Sequence, residues 1–87
     1  MAEYESLKRY LINLPYYQRE SVFTFAELEK ILGRDLPPSA RRHRPWWGND
    51  FSNGAHSHAQ AWIEADWMVD AGGVNLEEEW VRFVRIK

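Results

Sequence analysis

The stretch Thr24-Phe25-Ala26-Glu27 followed by Gly33 constrains the fold more than any other part of the chain. Threonine followed three residues later by glutamate is a capping box: the hydroxyl accepts from the third helical amide, and the carboxylate reaches back to the cap's own amide. Phe23 before the cap and Leu28 at the fourth helical position form the matching hydrophobic staple. Leu28, Ile31 and Leu32 continue one apolar face, and Gly33 supplies a left-handed stop. A helix over Phe25–Leu32 follows, exposing Glu29 and Lys30. With both of its ends pinned, the chain on either side must supply separate elements.

Upstream, Tyr4, Leu7, Leu11 and Leu14 recur at helical spacing with Tyr10 beside them, so a first helix is expected over Glu3–Asn13. Pro15 ends it, because the residue before a proline is pushed out of the helical region. Ser21–Phe23 reads as a short strand, since Val22 and Phe23 carry β-favouring side chains. Downstream, Pro38 or Ser39 can open a single helical turn over Ala40–His43, closed by Pro45. Trp46 to Ala55 reads as loop, given Gly48-Asn49-Asp50 and Ser52-Asn53-Gly54. Ser57-His58-Ala59-Gln60 is a second capping box, opening a helix through about Ala65 that buries Ala59, Trp62 and Ile63.

The C-terminal part reads as a β-hairpin. Trp67, Val69 and Ala71 alternate on one face, and Gly72-Gly73 shifts the parity so that Val74 and Leu76 continue it, as at a glycine bulge. Glu77–Glu79 is an acidic turn, and Trp80–Ile86 the returning strand, with Val81 and Phe83 on one face and Trp80, Arg82 and Val84 on the other. The fold class is therefore α+β: one small domain, residues 1–87, with three to four helices, a short early strand and a C-terminal hairpin. That order is winged-helix-like, except that an ordinary helix-turn-helix joins its helices through about 3–4 residues. Either the Ser39–Arg44 turn or the Ser57 helix would take the recognition position.

Several stretches together carry a family resemblance: Phe25–Gly33, Leu36-Pro37 with Ser39-Ala40, Trp46-Trp47-Gly48-Asn49, Gln60-Ala61-Trp62, Trp67-Met68-Val69 and Val81-Arg82-Phe83. With its Leu-Pro-x-Ser-Ala block, double tryptophan and Val-x-Phe strand, the chain resembles a widespread small prokaryotic domain family. The resemblance implies a single compact domain and brings no assigned activity. The chain differs from that pattern in a longer Phe51–His56 loop and in Asp66, where a glycine is usual.

Composition narrows the function. Eighty-seven residues bury only about 60% of their unfolded surface, and five tryptophans compensate for the small size, since each can bury about 150–250 Å². No cysteine is present, so no disulfide or thiolate-ligated metal is expected. The acidic N-terminus does not resemble a signal peptide, and no run approaches the roughly 20 apolar residues of a membrane span; a cytoplasmic protein with no membrane partner is expected. The net charge of -2 hides a segregation: Arg34–Asn49 carries +3 and the remainder -5.

Leu36–Asn53, with three of the four prolines, three arginines and the tryptophan pair, is therefore the candidate binding surface. Arg41, Arg42 and Arg44 with His43 suit phosphate oxygens or guanine edges. One tryptophan, assigned as Trp47, would stack on a base, and Asn49 would read adenine. His58 and Gln60 lie in the first turn of the Ser57 helix, where a recognition helix touches bases. The expected function is double-stranded DNA binding without catalysis. The alternative is a module docking an acidic protein partner through the same patch, since tryptophan and arginine dominate such interfaces. His56-x-His58 with His43 and Asp50 or Glu64 offers zinc-ligand types but no signature spacing, so no metal or cofactor is expected. Neither a nucleophile elbow nor a phosphate loop is present.

Overall fold

The computed structural model describes residues 4–49 and 58–86. In chain order these form α1 (Glu5–Ile12), β1 (Glu20–Thr24), α2 (Phe25–Leu32), α3 (Pro38–Arg42), a 3₁₀ turn (Arg44–Trp47), α4 (Gln60–Ile63), β2 (Trp67–Asn75) and β3 (Trp80–Arg85).

Local chemistry sets the best-defined boundaries. Thr24 Oγ1 accepts from the Glu27 amide at 3.1 Å, and Glu27 Oε1 accepts from the Thr24 amide at 2.8 Å. Gly33 ends α2 with φ 75° and donates its amide to Glu29 O. Those are the two reciprocal bonds of the capping box and the left-handed stop expected of glycine. Pro38 sits in the first turn of α3, where its missing N–H costs nothing. Pro45 does more than end that helix: it opens the 3₁₀ turn that carries both Trp46 and Trp47, so these residues are not loop.

The sheet is antiparallel in the order β1–β3–β2. Phe23 lies opposite Val81, and Val69 opposite Phe83. These residues with Trp67 and Val74 form the buried face against the helices, while Val22, Arg82 and Val84 lie on the other. The glycine irregularity is larger than a parity shift. Val69 pairs with Phe83 and Val74 with Val81, so residues 70–73 all stand opposite Arg82 alone. Ala71 is consequently exposed, and Leu76 lies in the turn, partly buried against the core. Gly73 is required here, because a Cβ would meet Arg82 Cβ at 2.8 Å. The Asp70–Arg82 ion pair at 3.1 Å spans the bulge.

The core is built on tryptophan. Trp47, Trp62 and Trp67 are its largest side chains, with Phe25, Phe83, Leu11 and Leu28 around them. A buried indole must place its N–H, and all three do: Trp47 donates to Ala40 O at 2.8 Å, Trp62 to Asn49 Oδ1 at 3.0 Å and Trp67 to Leu11 O at 3.2 Å. The Ser57 cap lies outside the described residues. The helix it was expected to open runs only over Gln60–Ile63, continues as turns, and ends at Asp66 with φ 67°. That left-handed value gives a physical reason for glycine at this position, since glycine adopts it without the clash of a Cβ. No helix among the described residues is long and apolar enough to cross a membrane.

Candidate functional site

The corner formed by α3 and the 3₁₀ turn carries the arginine run. Ala40, fully buried, anchors α3 from within, and the Trp47 indole bonded to its carbonyl fixes the 3₁₀ turn to it. The four residues 41–44 then divide into two kinds. Arg41 is engaged: Nη2 donates to Glu29 Oε2 at 2.8 Å, Nη1 to Glu79 Oε2, and the guanidinium lies 5.6 Å from the centre of the Phe25 ring. Glu29 Oε2 also accepts from the Leu36 amide. Arg41, and after it the Leu36 N–H, hold the Glu29 carboxyl below its usual pKa, while Glu29 and then Glu79 push that of Arg41 up. Arg42, His43 and Arg44 are exposed, and their side chains have no hydrogen-bond or ion-pair partner among the described residues.

The other expected contacts are mostly committed to the fold. Trp47 is 2% exposed, stacked on Phe25 at 5.3 Å and on Trp62 at 6.1 Å. It is a core residue and cannot take a base. Trp46 is the rim tryptophan, but the His58 ring covers it at 3.8 Å with an interplanar angle of 8°. His58 Nε2 donates to Trp46 O, so this histidine closes the aromatic corner instead of reaching outward.

Asn49 is committed to the sheet edge. Its Oδ1 accepts from Val69 N–H (2.8 Å) and Trp62 Nε1 (3.0 Å), and its Nδ2 donates to Val69 O (2.8 Å). The side-chain amide thus imitates a neighbouring strand along the exposed edge of β2. With both faces of the amide engaged, the side chain is oriented toward β2 and cannot present its Oδ1/Nδ2 pair to an adenine edge. Gln60 is half-buried in α4, whose neighbours Ala59, Ala61, Trp62 and Ala65 are buried. Over the described residues this helix is only four residues long and has one face in the core, so it presents little of itself as a recognition helix.

Glu29 and Glu79 were not among the expected site residues, yet they determine what Arg41 does. They lie 12 and 38 residues from it in sequence, and only the opposite charge of the hairpin turn hints at the second. The turn itself is tied down, because Phe25 N–H donates to Glu79 O at 2.9 Å. Beside Arg41 and Arg42 lies a cleft of about 370 Å³, also lined by Glu29, Asp35, Leu36 and Pro38. Among the described residues no group of three His, Cys, Asp or Glu could hold a metal ion. His56 and Asp50 lie outside them.

A family model described as Domain of unknown function (DUF7662) matches residues 4–86. The chain belongs to this family. No curated protein and no solved structure matches it. In this DUF7662 domain the residues that carried the resemblance are largely architectural: Leu36, Ala40, Trp47, Trp62, Trp67, Val81 and Phe83 are buried, and Asn49 secures the sheet edge.

Proposed function

We propose that the domain is a non-enzymatic module that binds double-stranded DNA through its phosphate backbone, using Arg42, His43 and Arg44. One observation carries this reading: three consecutive side chains with hydrogen-bonding or cationic heads stand exposed, without a partner among the described residues, on a corner anchored by Ala40 and Trp47. A guanidinium fork suits phosphate oxygens. Because Trp47, Asn49 and His58 are occupied within the fold, base discrimination should be weak and affinity strongly salt-dependent. The hairpin does not project as a wing, since its turn is bonded to α2.

Titration of a labelled duplex at low and moderate salt tests the reading. Two arginine contacts predict a log–log salt slope of about -2, at roughly -0.9 per phosphate neutralised. Arg42→Ala/Arg44→Ala should abolish most of the binding with the fold intact. Absence of binding at low salt, or binding indifferent to that double variant, rejects the proposal. A second reading, docking of an acidic protein segment, is favoured by the small size of the unpartnered footprint. It predicts capture of acidic peptides with no preference for duplex.

A further inference from the structure

We infer that Arg41 is a further phosphate contact of the same corner, held in reserve by the carboxylate of Glu79; this rests on the nucleic-acid reading above. The two amino groups of Arg41 face unlike partners. On the inner side, Glu29 is 20% exposed, stands on α2, and is held in place by the Leu36 amide. On the outer side, Glu79 is 49% exposed and belongs to the hairpin turn. Glu79 also has φ 59°, a left-handed conformation that non-glycine residues rarely adopt.

The Glu79 oxygen on Arg41 Nη1 occupies a place that a phosphate oxygen would take. Glu79 is therefore a built-in competitor for the anion. Its backbone carbonyl stays bonded to Phe25 N–H, so the side chain can swing into solvent without moving the strand. Arg41 then joins Arg42, His43 and Arg44 as one uninterrupted run, still oriented from within by Glu29. An exposed ion pair of this kind is worth about two- to fivefold in an equilibrium constant, small enough for a phosphate backed by neighbouring contacts to displace. Glu77 and Glu78 share the turn and repel the same phosphate, so the effect of charge alone must be subtracted.

Duplex binding measured side by side for the wild type, Glu79→Gln, Glu78→Gln, Arg41→Gln/Glu79→Gln and Arg42→Ala/Arg44→Ala makes that subtraction. Glu79→Gln should bind about two- to fivefold tighter than Glu78→Gln, and the gain should vanish when Arg41 is also neutralised. Glu79→Asn, which tolerates a left-handed backbone better, serves if the glutamine variant melts. Equal affinities for Glu79→Gln and Glu78→Gln overturn the inference while leaving the Arg42/Arg44 interface standing, provided that double variant still binds weakly. If neither the wild type nor Glu79→Gln binds at low salt, interface and inference fall together.

Discussion

At the turn end of the sheet, Arg41 lies 5.6 Å from the Phe25 ring centre; at the opposite end, Arg85 lies 4.3 Å from that of Trp67. Both arginines cover a buried core aromatic and tie distant segments together, but with different partners. Arg41 bridges two carboxylates from α2 and the hairpin turn. Arg85 donates to the carbonyls of Gln18 (3.1 Å) and Pro15 (2.8 Å), securing the connector between α1 and β1. Carbonyl partners do not titrate and are little affected by salt, whereas a partly exposed ion pair is screened by salt and open to competing anions. The ionic end is thus the one that a ligand can remodel, and the neutral end is scaffold.

Five measurements sharpen or break this contrast. The neutral tethers should dominate stability. Asn49→Ala leaves Val69 N–H, Val69 O and the Trp62 indole without their partner, and should cost about 3 kcal/mol in urea denaturation, since each unsatisfied buried group costs about 1–3 kcal/mol. Arg85→Ala should cost about 2 kcal/mol, from two hydrogen bonds to a charged donor and a cation–π contact, with no change between low and high salt. Arg41→Ala should cost about 1 kcal/mol at low salt and less at high salt. If its cost is independent of salt, the two ends do not differ as described.

Acid provides the fourth measurement. The folded pKa of Glu29 lies below its ordinary 4.5, first because of Arg41 and then because of the Leu36 amide. Its contribution is therefore present above 4.5 and is lost as pH falls through the lowered value. Wild type and Arg85→Ala should both lose stability on acidification in that range, and Glu29→Gln should lose distinctly less. The smallest effect is that of Glu79→Gln alone. It removes only the exposed half of the Arg41 bridge and should shift stability by less than about 1 kcal/mol, as read from a melting curve.

How much of this was legible in sequence depended on the range of the interactions. The α2 boundaries came out to the residue because cap and stop act within one turn of the chain. The pairing of Val81 and Phe83 toward the core followed from strand alternation alone. The bulge was visible in Gly72-Gly73, but its extent was not, because four residues opposite Arg82 are accommodated by a ladder partner elsewhere in the chain. The site was harder to read. Trp46 and Trp47 are chemically identical neighbours, and only the 3₁₀ turn decides that the second enters the core. Arg41 and Arg42 look equivalent until Glu29 and Glu79 arrive from other elements and select one of them.

The sequence by itself therefore determined the α+β class, the capped second helix and its glycine stop, the hairpin and the position of the cationic stretch. These depend on backbone preference, local side-chain-to-backbone bonds and apolar periodicity, all short in range. Only the tertiary structure decided which members of that stretch face solvent. An arginine or asparagine near the surface takes whichever partner the packing delivers: Glu29 and Glu79 reach Arg41, Val69 and Trp62 reach Asn49. Arg42, His43 and Arg44 are left outward because no element packs over them among the described residues.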